Sequence, residues 1–194
     1  MEVSIQAKHL KAAAVFSASH DIRYYLHGVL AEVRAKETRL VATDGSCAVV
    51  LRDQVIGGDQ PDMPDVIIPN ATVKLALSMK KDVLPLQLNA EGNWTLGGIE
   101  FSPIEALFPD YRRVMVSETS GEVGNFDFEL LGRFLKAAKA LGSRQTPVLR
   151  QNGENGAQVQ IYGFEDEFIG VIMPMRMFNG NRQDPGISTW GGSR

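Results

Sequence analysis

Seven cations in three short stretches are the residues of this chain best suited to a shared task. Lys8 and Lys11 fall in the first stretch, Lys74 and Lys81 in the second, and Arg133, Lys136 and Lys139 in the third. The windows that hold them, 6–20, 66–81 and 129–144, contain nine of the 20 basic residues and one of the 23 acidic ones. Cations grouped in this way attract phosphates without reading base edges, and such attraction weakens with salt. The formal net charge is −3, so three basic stretches sit on an acidic body, which argues against bulk nucleic-acid binding. For any one stretch alone, the plain alternative is a solvated helix face.

No comparable grouping points to catalysis. His20, Asp21 and His27 are close in sequence but read as a helix end and a strand surface. Cys47 lies in an expected strand and reads as a small packed hydrophobe. There is no phosphate-cradling glycine loop after a strand, no histidine pair at ligand spacing and no nucleophile elbow. With one cysteine and three histidines, neither an internal disulfide nor a structural zinc site is expected. The expectation is a protein with no enzymatic activity, no metal and no cofactor. The first residues lack a cationic start followed by an apolar run, and no window approaches a membrane span, so a cytoplasmic chain without a membrane partner is expected.

Each basic stretch carries helical periodicity. Leu10, Ala13 and Phe16 recur at helix spacing in the first. In the second, Asn70 is the expected N-cap, Leu75 and Met79 lie four apart, and Lys74, Ser78 and Lys81 make a polar stripe. In the third, Leu131, Phe134, Leu135, Ala138 and Leu141 make an apolar face, with Arg133, Lys136 and Lys139 on another side. A short strand is expected before each helix, at 3–5, 66–68 and 126–128. Strand-like runs follow each helix, at 24–33, 39–43 and 46–51, then 84–88, 94–96 and 99–103, then 148–151, 158–162 and 168–173. Asp44-Gly45 is expected as a two-residue hairpin turn.

These runs describe an α+β fold of three β-α-β-β-β units, with helices on one face of antiparallel sheets. A unit of this kind leaves a sheet face bare unless a neighbour covers it, so units should pair. The first two are expected to form a complete domain over 1–118, with a linker at 119–125. Residues 126–177 are left as a half domain with open sheet edges, which implies self-association. Residues 178–194 read as a flexible tail with Trp190 as a docking anchor.

Between the second and third units lies Phe108-Pro109-Asp110-Tyr111-Arg112-Arg113-Val114. Pro109 ends regular structure there, Asp110 favours a turn, Phe108 and Tyr111 are large enough to anchor, and two arginines add fixed charge. Taken with 21–30 (DIRYYLHGVL), 40–45 (LVATDG) and 171–176 (VIMPMR), this stretch resembles the bacterial sliding clamp, the DNA polymerase III beta subunit. The four motifs fall in the family's order. The resemblance covers residues 1 to 177, as the family's middle domain followed by the second half of its last domain.

That resemblance implies a DNA-clamp-like fold in which helices line a ring around duplex DNA and sheets form the outer wall. Lys8, Lys11, Lys74, Lys81, Arg133, Lys136 and Lys139 would then face DNA. It also implies a hydrophobic pocket for short peptides from DNA polymerase and other clamp-binding proteins. By position its walls would be Leu26, Thr43, Gly45, Pro109, Arg113, Val114, Val171, Ile172, Met173, Pro174 and Met175. Where the family usually has His-Arg-Leu after Asp-Gly, this chain has Ser46-Cys47-Ala48, which removes a cation and bulk from the rim. The family ring contains twelve units, so a processivity factor built from this chain would be a homo-oligomer, a tetramer of three-unit chains or a dimer. The alternative is a non-ring binding protein that competes for, or regulates, clamp-binding peptides.

Overall fold

The computed structural model describes residues 1–55 and 58–176, and the statements below concern those residues. The tail expected at 178–194, with Trp190, lies outside them. β1 (Glu2–Gln6) runs into α1 (Ala7–Ala14), followed by β2 (Gly28–Arg34), β3 (Glu37–Thr43) and β4 (Cys47–Gln54). The second unit is β5 (Val66–Pro69), α2 (Asn70–Ser78), β6 (Val83–Leu88), β7 (Trp94–Leu96) and β8 (Ile99–Phe101). The third is α3 (Phe128–Leu141), β9 (Val148–Arg150), β10 (Ala157–Gln160) and β11 (Phe168–Ile172). No helix among the described residues is long and apolar enough to cross a membrane.

The strands make two antiparallel sheets, one of four strands in the order β1-β6-β7-β8 and one of seven in the order β5-β2-β3-β4-β11-β10-β9. The first two units exchange their leading strands. β1 pairs with β6 of the second unit, and β5 pairs with β2 of the first. The last strand of the third unit pairs with β4, from Phe168↔Leu51 to Ile172↔Cys47, so the large sheet runs without a break from the first unit into the third.

Burial along the central strands follows from cover on both faces. Alternate residues point to opposite sides of a strand. Val29, Ala31, Leu40, Ala42, Val49 and Leu51 join the main core beneath the helices. Leu30, Val41, Val50 and Ile67, on the opposite face, lie under Phe108 and Tyr111. Both faces of β2, β3 and β4 are therefore apolar, which explains why their sequences read as nearly continuous hydrophobic runs.

α1 and α3 lie side by side, with the Phe16 and Phe134 rings 4.8 Å apart between centroids. Gly170 on β11 permits this packing, since a Cβ there would stand 2.4 Å from the Phe134 ring. His9, 1% exposed, ties the same region together: Nδ1 lies 2.8 Å from Asp53 Oδ1 and Nε2 lies 2.8 Å from Glu167 Oε2. α3 is well bounded. The Asp127 carboxylate accepts from the Glu129 amide at its start, and Gly142 closes it in the left-handed region at φ 83.

Several local expectations change. No strand forms at 126–128, because Phe128 begins α3 and Asp127 caps it, while Phe126 is buried in the core. Asn70 is the first residue of α2 rather than its cap, and its Nδ2 donates to the Ala18 carbonyl. Leu75 and Met79 are 54% and 39% exposed, because α2 buries Thr72, Val73 and Ala76 instead. Leu135 is 46% exposed, and Ala137 takes a place in the buried face of α3. The β3–β4 connection is a three-residue loop, not a two-residue turn, because the Asp44 carboxylate accepts from the amides of both Ser46 and Cys47 at 2.8 Å.

Candidate functional site

A cavity of about 160 Å³ opens where the β3–β4 loop, the connector at 109–114 and the end of β11 meet. Seven of the eleven residues expected as pocket walls line it: Leu26, Thr43, Gly45, Pro109, Val114, Val171 and Met173. Leu26 forms the floor at 1% exposure, while Val114 and Met173 stand at the mouth at 46% and 44%. A thioether beside aliphatic walls adapts to varied apolar side chains.

The four others fall elsewhere for identifiable reasons. Ile172 is fully buried and belongs to the helix-side core, whereas Val171 and Met173, one residue to either side, line the cavity, as strand alternation requires. Pro174 and Met175 line a separate surface depression with Gly124, Asn125 and Gly153. Arg113 is exposed and outside the cavity lining.

Two hydrogen-bonded clusters shape the walls. Thr43 Oγ1 donates to the Cys47 carbonyl at 2.6 Å and accepts from the Gly45 amide at 3.0 Å. Gly45 adopts φ +91, and a Cβ there would stand 2.6 Å from the Arg23 guanidinium. Any side chain at this position would be strained and would displace that arginine. Arg23 itself donates to the Asp44 carbonyl and pairs with Asp21, whose carboxyl is held well below the usual range by those hydrogen bonds. A cation therefore does stand at the rim, supplied from a distant loop. On the other wall, the Tyr111 hydroxyl donates to Glu32 at 2.6 Å and Arg112 donates to both oxygens of the same carboxylate at 2.8 and 2.9 Å. Arg112 also stacks on the Tyr111 ring, 4.5 Å from its centroid. Glu32 is only 5% exposed, so this network pins the connector to the outer face of the large sheet.

Sequence reasoning missed Arg23 and Glu32. Glu32 had a visible signal, a lone acid in an otherwise apolar strand, which must find partners when buried. Arg23 had none, because its place depends on how the 15–27 loop folds over the hairpin. Ser46, Cys47 and Ala48, which replace the usual bulk and cation, do line the cavity. Cys47 is 2% exposed, and burial pushes its thiol up to about 12, so it stays protonated near neutral pH. Of His20, Asp21 and His27, Asp21 is hydrogen-bonded to Arg23 rather than to either histidine.

The cations on the helix side divide into two kinds. Lys8 pairs with Glu167 at 3.4 Å, and Arg133 pairs with Asp44 of the β3–β4 loop. Lys11, Lys74, Lys81, Lys136 and Lys139 are exposed and make no ion pair with another described residue.

No family model matches the chain. In sequence it is 33% identical over 114 residues to the beta sliding clamp of Escherichia coli (strain K12), covering 56% of this chain and 31% of that one. It is 28% identical over 157 residues to the beta sliding clamp of Vibrio cholerae, covering 77% and 42%. In structure it matches the DNA polymerase sliding clamp from Bacillus subtilis with a TM-score of 0.69 at 12% identity, over 92% of this chain and 65% of that one. The chain shares sequence and fold with the beta sliding clamps. The fold is the clamp fold, α+β with helices on one face of antiparallel sheets. The chain spans about a third of the length of the E. coli clamp.

Proposed function

We propose that this chain is a cytoplasmic, sliding-clamp-type processivity factor for a DNA polymerase. Several copies would close a ring around duplex DNA, and the cavity would take an apolar peptide from the polymerase or from other clamp-binding proteins. The observation that carries the reading is the cavity itself: within a clamp fold, four separate segments converge on one small opening with Met173 at its mouth. The exposed lysines Lys11, Lys74, Lys81, Lys136 and Lys139, on or just after the helices, support binding to phosphates without sequence preference. Lys8 and Arg133 are tied to carboxylates, so contact with DNA would require them to exchange those partners for phosphates. No catalytic role is proposed for any residue.

Two assays test this reading. A ring should remain on closed circular DNA through a gel-filtration column and slide off the same DNA once linearised; equal loss from both contradicts encirclement. A fluorescent clamp-binding peptide should bind the chain and be weakened by Met173→Glu. The ion pairing of Lys8 and Arg133 favours a second reading, a non-ring competitor for such peptides. That reading predicts peptide binding by a monomer with no preference for circular DNA.

A further inference from the structure

The first two units complete each other by one repeated rule. In each, the residue just before the helix pairs with the first residue of the neighbouring unit's first post-helix strand: Gln6 with Val83, and Pro69 with Gly28. One step earlier, fully buried Ile5 and Ile68 face fully buried Leu84 and Val29. The third unit has the same parts in the same order. Asp127 precedes α3, Phe126 is buried at 7%, and β9 begins at Val148. Yet β9 pairs only with β10 among the described residues, and its other edge carries no strand.

We infer that two copies of this chain join through their third units, each laying the segment 125–127 along β9 of the other in a two-fold exchange. Applying the rule sets the register. Asp127 opposes Val148 of the second copy, Phe126 opposes Leu149, and Asn125 opposes Arg150. The occupant is a second copy because the segment that the rule calls for is one the chain itself carries. The three residues 125–127 match the length of β9, and the Asn125 carbonyl, which accepts from the Met175 amide of its own chain, leaves its amide side for the second copy.

The helix layer points the same way. At the third and fourth positions of their helices, His9 and Leu10 are 1% and 0% exposed, and Thr72 and Val73 are 9% and 1%. The equivalents in α3, Leu130 and Leu131, are only half-buried. Phe128 and Leu135, at 88% and 46% exposure, flank them. A second α3 packed there would supply the cover that α1 and α2 give each other. Lone sheet edges and bare apolar helix faces are the features that proteins normally pair.

This deepens the assembly part of the proposed function, and it stands or falls separately from DNA binding. Directly opposed residues of antiparallel strands lie within the span a disulfide bridges. Full-length Asn125→Cys and Arg150→Cys chains are purified separately, checked for unchanged melting, mixed, and oxidised. The native Cys47 is buried and does not compete. A disulfide-linked pair in the mixture, absent from either variant alone, is the expected result. No linked pair in the mixture, or equal linkage in the single variants, overturns the inference. As a second reading, Leu135→Glu on the exposed helix face should weaken self-association at least tenfold in sedimentation. Unchanged association contradicts the shared helix face. Linked pairs without retention on circular DNA would remove the ring and keep the pairing; retention without linked pairs would do the reverse.

Discussion

The first and third units share one sheet and one plan, but they differ in what stands beyond their outermost strand. β2 has β5 against it, and the helix above it buries Leu10, Ala12 and Ala13. β9 has no strand on its outer side among the described residues, only the 120–124 segment hydrogen-bonded just past its end at 151–153, and α3 keeps Phe128 and Leu135 in solvent. Local sequence made a helix followed by three strands in both places. Neighbours, not propensity, decided what those elements bury.

The seam between these two units is the place to break the comparison. If the first and third units are one folding body, Phe134→Ala removes a buried ring packed on Phe16 and should destabilise the whole chain by about 3–5 kcal/mol. A single shifted urea transition is expected. Two separate transitions would show that the third unit folds by itself.

Cys47 sits on the same seam, opposite Ile172. Burial raises its thiol from 9.0 to about 12, so the unfolded chain loses this proton first as pH climbs. Its contribution is complete below pH 9 and declines towards pH 12, by up to about 1.4 kcal/mol for each pH unit. Cys47→Ala should lack this part of the alkaline decline when melting is followed across that window. Identical profiles would place the thiol in contact with solvent.

The pocket gives a finer comparison, between neighbouring methionines. Met173→Glu should weaken peptide binding at least tenfold, about 1.4 kcal/mol, with little change in melting. Met175→Glu, outside the cavity, should leave affinity unchanged in the same anisotropy titration. Equal effects would move the site towards the depression near Asn125. The smallest effect separates the two kinds of cation on α3. Lys136→Ala should lower the salt slope of DNA binding by about 0.9, one phosphate contact. Arg133→Ala, already paired with Asp44, should leave that slope as it was.

Much of this was legible in the sequence, and the failures have physical causes. Strands such as β7 and β3 announced themselves through alternation, β-branched residues and flanking turns. The strand expected at 126–128 did not form, since a leading strand needs a neighbour to pair with and the chain alone provides none. Naming 171–175 as one wall ignored alternation, which sends Ile172 to the helices and Val171 to the cavity. The charge count could not tell Arg133 from Lys136, because the difference is the presence of Asp44, 89 residues away. Arg23 reaches the cavity rim only through the folded loop.

A ring assembled from three-unit chains is tested most directly by the solution mass, measured by light scattering across a concentration series at low and moderate salt. A species of four chains is expected, built by pairing third units and closing through the remaining edges. A mass of one chain at every concentration would contradict it.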